Sequence, residues 1–202
     1  MYMKHIVTLL IFMLSTLSVV SAQSASEWLA KLDASLGERY AMSIAVALGG
    51  EDQHSGFVIV DGDSYYMTLG VMEVYCDGKL RYEVNNQRKE VVEDVVNLAS
   101  CDLLSNPTRA FDFVPEEFAM EVTAMSDSAV TLMLTPNSED MGINSIVLTL
   151  ARKGSMVEPT TISYDYDGEQ VAISLQKLKS TDLKLRKWDK AAYRAYDIVS
   201  FL

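Results

Sequence analysis

Cysteine, histidine and proline are scarce in this chain, and each scarcity excludes something. Of 202 residues, two are cysteine, two are histidine and four are proline. Cys76 and Cys101 do not form a C-x-x-C pair, which argues against a dithiol redox site. His5 falls in a leader segment, so His54 alone is left for a Ser-His-Asp or Cys-His arrangement. A zinc site needs clustered Cys and His at short spacing, and no such cluster exists. There is no G-x-S-x-G, no P-loop and no dinucleotide fingerprint. Glu116 and Glu117 could serve as an acid and base pair. A solvated loop is the more ordinary account of them. Glu51, Asp52, Asp61 and Asp63 sit at expected hairpin ends, where Asp suits turn geometry. The expectation is a protein that is not an enzyme and holds no metal and no cofactor.

Positive charge is also in short supply. The net charge is −11, which repels nucleic acid and anionic lipid headgroups, so no nucleic-acid partner is expected. Long apolar runs are confined to the start. Lys4 and His5 precede an uncharged stretch from Ile6 to Val20, and Val20-Ser21-Ala22 fits a small-residue cleavage site before Gln23. This reads as a signal peptide over 1–22 and an exported single domain over 23–202. No cysteine lies near Ala22 to take a lipid. An exported chain can keep a disulfide, but spacing alone does not say whether Cys76 and Cys101 pair.

What the sequence has in abundance is short strands. From Gly56 to Val92, apolar runs alternate with Asp61-Gly62-Asp63, Asp77-Gly78 and Asn85-Asn86, the punctuation of tight hairpins. One face is expected to carry Tyr65, Met67 and Leu69, then Met72, Val74 and Cys76, then Leu80, Tyr82 and Val84. Glu73, Lys79, Arg81 and Glu83 then fall on the other, wet face. Ahead of this meander, Ser26 to Leu36 reads as a helix capped by Ser26, with Trp28, Leu29, Leu32 and Leu36 on one face and Gly37 as its stop. A strand follows over 40–48, and Gly49 to Ser55 reads as a loop. Asn106-Pro107 reads as the start of a short helix or turn. Further strands are expected near 118–124, 129–135, 145–151, 160–166 and 171–178, and a last extended piece over 196–202. With about ten or eleven strands and little helix, either the sheet packs on itself as a sandwich or a concave apolar cavity remains. Met42, Met67, Met72, Met120, Met125 and Met133 lie on or near strands, where unbranched thioethers adapt to irregular partners or simply fill a core.

The order of these features resembles the outer-membrane lipoprotein carrier proteins (LolA-like). The likeness lies in the leader, the helix, the strand series through Asp77-Gly78-Lys79, Leu80-Arg81-Tyr82 and Val91-Val92, then Asn106-Pro107, and the close Trp188-Asp189-Lys190, Tyr193 and Ile198-Val199. It covers nearly the whole mature chain, and it rests on order more than on any one motif. The resemblance implies a mainly β fold, an incomplete antiparallel β-barrel with a helical lid. It also implies a periplasmic carrier, a monomer, that ferries the acyl chains of lipoproteins or lipids. An inner-membrane donor complex and an outer-membrane acceptor would be its partners. On that fold, strand alternation places Met42, Ile44, Val46, Tyr65, Met67, Met72, Val74, Leu80, Tyr82, Leu132 and Leu134 on a lipid-binding cavity wall, with Trp28 and Leu32 on the lid. Members of the family carry a lid-holding arginine on the strand that here begins Ser64-Tyr65-Tyr66, and this chain has none there. Arg81 and Arg88 belong to later strands and are expected on the wet face. The fold also serves sensors that bind a protein partner and no lipid, so that reading stays open, as does a hydrolase built on His54.

Overall fold

The computed structural model describes residues 24–48, 51–179 and 183–202. The expected leader, its cleavage site, and Gly49 and Gly50 of the expected loop lie outside the described residues. The helix α1 runs Ala25–Leu36. Its cap is Ser24, not Ser26: the Ser24 hydroxyl accepts the Glu27 amide at 3.3 Å, three residues on, as an N-cap must. Ser26 sits inside the first turn and points its hydroxyl at the Met120 sulfur. Gly37 stops the helix as expected. It has φ 68°, and its amide donates to Asp33 O. The buried stripe is Ala25, Trp28, Leu29, Leu32 and Leu36.

Twelve strands follow, one or two more than expected. They are β1 (Arg39–Leu48), β2 (Glu51–Asp61), β3 (Ser64–Leu69), β4 (Met72–Cys76), β5 (Leu80–Asn85), β6 (Glu90–Val95), β7 (Phe118–Met125), β8 (Ala129–Pro136), β9 (Ser145–Lys153), β10 (Met156–Tyr166), β11 (Glu169–Leu178) and β12 (Asp197–Ser200). The expected loop over 49–55 is strand from Glu51 onward, because β1 is long enough to pair it: Val46 faces His54 and Leu48 faces Glu51 across an irregular step. All twelve form one sheet in the order β12-β6-β5-β4-β3-β2-β1-β11-β10-β9-β8-β7. Every pairing is antiparallel except β12 on β6, which is parallel. The two ends, β12 and β7, do not pair with each other, so the barrel is incomplete. At Gly56 a Cβ would lie 1.8 Å from Thr68 O, so β2 and β3 approach there as only glycine allows.

The sheet curls over α1, which packs on β10 and on β7. The main core lies between them and includes Leu32, Met42, Leu132, Leu134, Ile146 and Leu148, all without exposed surface. The opposite face of β1–β6 is not wet. A second core there contains Ile59, Tyr66, Tyr75, Val84 and Val91, and residues 183–196 pack across it. The fold is mainly β, a half-barrel with a helix over its concave face.

Candidate functional site

The concave face is the candidate site. Two covers lie on it: α1, and the irregular segment 97–113 between β6 and β7. That segment places Cys101, Leu103, Ala110 and Phe113 in the main core, so its apolar residues hold it down. Its main chain is then tied to the sheet by side chains from below. Tyr40 donates to Pro107 O at 2.8 Å, and Tyr65 donates to Ser105 O at 3.2 Å. Arg81 donates to the Tyr65 hydroxyl from Nε at 2.9 Å and to Leu104 O from Nη2 at 3.2 Å. It also forms an ion pair with Glu83. The Tyr164 hydroxyl accepts the Leu103 amide at 3.0 Å and donates to Cys101 O. Tyr166 donates to the Asp102 carboxylate at 2.5 Å. Asn106, fully buried, closes the segment on itself by donating to Asn97 O and accepting from Thr108. The ties to Pro107 O, Ser105 O, Leu104 O, Cys101 O and the Leu103 amide each give a main-chain group of the covering segment a partner.

These phenols act as neutral donors. Burial pushes Tyr65 up to about 12, against the pull of Arg81, and burial alone raises Tyr40 further. Tyr164 is raised too, again by burial first. Cys76 and Cys101 are buried free thiols, and burial raises both, which leaves them in the protonated, unreactive form. The bridge between them that the sequence left open is not formed.

Eight of the eleven expected wall residues lie together in the main core: Met42, Ile44, Val46, Tyr65, Met67, Val74, Leu132 and Leu134. The expected lid residues, Trp28 and Leu32, pack on the same core. The Trp28 indole N–H is buried without a partner, while Lys31 and Arg152 lie over its ring at 4.4 and 5.4 Å. Met72 shares the inner face but is half-buried at its margin. Leu80 and Tyr82 are corrections. Cys76 pairs with Arg81 and Val74 pairs with Glu83, so Arg81 and Glu83 point inward, and Leu80, Tyr82 and Val84 point outward. The expectation put β5 one residue out of phase because it assumed a single apolar face. Arg81, expected to be wet, is a cation of the inner face, and side-chain exposure there is 18 %.

On the convex face Tyr82 stacks on Trp188 at 4.5 Å, and Trp188 stacks on Tyr193 at 4.9 Å. Glu73 lies beneath them. It accepts from Tyr66 and Tyr75, both at 2.8 Å, and from Asn86 at 2.9 Å, with Arg186 at 3.9 Å. Burial alone would raise its carboxyl, but the donors Asn86, Tyr75 and Tyr66 and the Arg186 charge outweigh that and hold it below the usual range. His54 is exposed on β2. Glu117 pairs with Arg109 at 3.1 Å, and Glu116 is exposed beside it. No group of three or more His, Cys, Asp or Glu among the described residues is placed to hold a metal ion.

With α1 and the 97–113 segment down, the main core is filled. The open space lies beside it: a cleft of about 770 Å³ between α1 and residues 108–115. None of the expected wall or lid residues lines it. The segment 97–113 and its ties are what sequence reasoning missed. Asn106-Pro107 marked the place, and the pairing of Cys76 with Arg81 follows from counting four residues, 77–80, in the turn between them.

No protein-family model matches the chain, and no curated protein matches it. Solved structures do. An uncharacterized conserved protein from Thermus thermophilus is similar over 87 % of this chain and 98 % of its own, at 10 % identity and a TM-score of 0.53. A LolA superfamily protein from Nitrosomonas europaea is similar over 85 % of this chain and 98 % of its own, at 13 % identity and a TM-score of 0.39. A putative outer membrane lipoprotein-sorting protein domain from Vibrio parahaemolyticus is similar over 84 % and 96 %, at 9 % identity and a TM-score of 0.46. Likeness at such identity speaks to the fold and to nothing finer. The open twelve-stranded sheet curled over one helix is the incomplete antiparallel barrel with a helical cover that the sequence resemblance implied.

Proposed function

We propose that residues 23–202 act as one unit in the periplasm, as a carrier or chaperone for the acyl chains of lipoproteins. The carrying observation is the makeup of the concave face. It is a broad apolar surface covered by one helix and one irregular segment, not by a second sheet, and the irregular cover is joined to the sheet by a few polar ties. An acyl chain loses about 0.8 kcal/mol per CH₂ on leaving apolar surroundings for water, so it needs shelter in transit. Met42, Leu132 and Leu134 are fully covered with the lid down. A chain reaches them only as α1 and the 97–113 segment lift, and its burial then favours the lifted state. The work is binding and release, with no bond made or broken. An inner-membrane donor complex would load the protein and an outer-membrane acceptor would empty it, with the carrier acting as a monomer.

A second reading keeps the fold and drops the lipid: a sensor or interaction module that binds a protein partner. Two observations favour it. The core under the lid is already filled by side chains. The sheet edge also exposes an apolar strip, with Val95, Phe201 and Leu202 more than 60 % exposed. The test is native mass spectrometry of the mature protein purified from the periplasm without detergent. A co-purifying acylated peptide or lipid is the carrier's expected result. A bare protein mass, with no uptake of added lipid or lipopeptide, favours the second reading.

A further inference from the structure

We propose that the cleft between α1 and residues 108–115 is the mouth of the concave site and that it selects an acyl chain bearing a cationic amine at its head. This rests on the carrier reading and names the class of cargo that reading would take. The cleft floor is apolar: Leu29, Leu36, Tyr40, Val60, Phe111 and Phe113. All but Phe111 are members of the main core, and Phe111 packs against it, so the floor is continuous with the surface under the lid. The volume, about 770 Å³, falls within the roughly 300–1,000 Å³ of ordinary ligand pockets.

The rim is acidic. Asp33, Glu38, Asp63 and Asp112 line it, and no Lys or Arg does. Asp112 is partly neutralised by Arg109 at 3.6 Å. The neighbouring cations are committed elsewhere. Arg109 also serves Glu117 and Leu98 O, Arg39 serves Asp61 and Leu183 O, and Lys177 reaches Ser35 O. Helix polarity adds to the same sign. Leu36, Gly37 and Glu38 line the cleft, so the negative end of α1 opens on it; the last turn itself holds no basic residue, and Lys177 from β11 meets that end at one carbonyl, Ser35 O. Asp33 stands in that turn, where a negative charge opposes the helix dipole. A sequence that served only the helix would place Lys there. A bound ammonium group would relieve the rim carboxylates, Asp33 in the last turn among them, while its chain lay on the floor. An anionic head would meet the same field with the opposite sign.

Titration calorimetry with single-chain probes below their micelle concentrations tests this on the mature chain. The probes are dodecyltrimethylammonium, dodecyl sulfate and dodecyl maltoside, which share a chain and differ in head charge. The cationic probe should bind tightest, and added salt should erode its advantage. In the combined variant Asp33→Asn, Glu38→Gln, Asp63→Asn, that advantage over the maltoside should fall about tenfold, as expected for three exposed charge contacts, with maltoside binding unchanged. Asp33→Asn alone should raise the melting temperature while weakening the cationic probe, an opposition that a merely structural role would not give. Equal binding of all three heads, or no change in the triple variant, overturns the charge selection and leaves the carrier reading standing. Binding of no probe at all sinks the carrier reading as well. Tighter binding of an unacylated basic amphipathic peptide than of the ammonium probe would make the occupant a peptide and overturn the inference.

Discussion

On the concave side, the irregular cover is joined to the sheet mainly by hydrogen bonds that end on main-chain groups, among them Ser105 O, Pro107 O, Leu104 O and the Leu103 amide, with Tyr166 on the Asp102 carboxylate beside them. On the convex side, the strap of residues 183–200 is joined by stacked rings, by Arg186 beside Tyr66 and Glu73, by the hydroxyl pair of Tyr75 and Tyr193, by Tyr196 donating to Asn86, and by strand pairing of β12 with β6. Main-chain carbonyls and amides can exchange a side-chain partner for water one at a time. A stack such as Tyr82, Trp188 and Tyr193 over Glu73 gains from all its parts together. The difference sets two expectations: loss of one ring should weaken the whole convex stack, whereas loss of one polar tie should loosen the concave cover locally.

Changes at four positions probe that contrast. The largest effect is expected at Leu32, which has no exposed surface and sits at the centre of α1's contact with the sheet. Leu32→Ala should cost about 2–5 kcal/mol in urea unfolding, as for other fully buried leucines. Trp188 is only partly buried, so Trp188→Ala should cost less, about 1–3 kcal/mol, through the loss of two stacked contacts and their area. If Trp188→Ala cost more than Leu32→Ala, the strap, and not the contact of α1 with the sheet, would be the principal support of the fold.

Glu73 gives the strap a pH dependence. Its folded carboxyl is held below the usual range, so it contributes stability above the unfolded value of about 4.3. That contribution is lost as pH falls through the folded value. Glu73→Gln should therefore destabilise the protein by about 1–2 kcal/mol near neutrality, because Tyr66 and Tyr75 keep only a neutral acceptor. The gap between variant and parent should narrow at about pH 3, well below the unfolded carboxyl value. Urea titrations at the two pH values measure this. A gap that stayed constant would mean that the carboxylate charge contributes nothing.

How far the sequence disclosed this arrangement depended on how many faces of the sheet are apolar. In β7–β11, alternation alone marks Leu132 and Leu134 as inward, and both lie in the main core, because the other face carries polar residues. In β3–β6 both faces are apolar. Tyr65 and Met67 point to one core, while Tyr66, Tyr75 and Val84 point to another. There, period two identifies strands but does not say which side is inside. The phase of β5 is set by the length of the turn at 77–80, and the second apolar face is explained only by a segment some hundred residues later, 183–196. The candidate site was legible to the same extent. Its apolar wall came from alternation. Its polar ties did not, since a tyrosine that donates to a distant main-chain carbonyl leaves no local pattern.

The finest test of the contrast is at Arg81. It is the one side chain of the inner face that holds both a sheet phenol and the covering segment, through Tyr65 and Leu104 O. Arg81→Leu removes one donor from the cover and one from Tyr65 and frees Glu83, yet leaves the apolar contacts of Leu103, Ala110 and Phe113 in place. Global stability should fall by only about 1 kcal/mol. Local opening should respond more sharply: amide exchange at Leu103, Ser105 and Asn106 should speed up about tenfold, equivalent to ~1.4 kcal/mol, while amides of β9 and β10 stay unchanged. Arg81→Lys should restore the parent rates only in part, because an ammonium group cannot reach the hydroxyl and the carbonyl with a rigid fork. If exchange rose equally across the whole sheet, the cover and the barrel would open together. The concave side would then be as fixed as the convex one, and a lid that lifts on its own would have no physical basis.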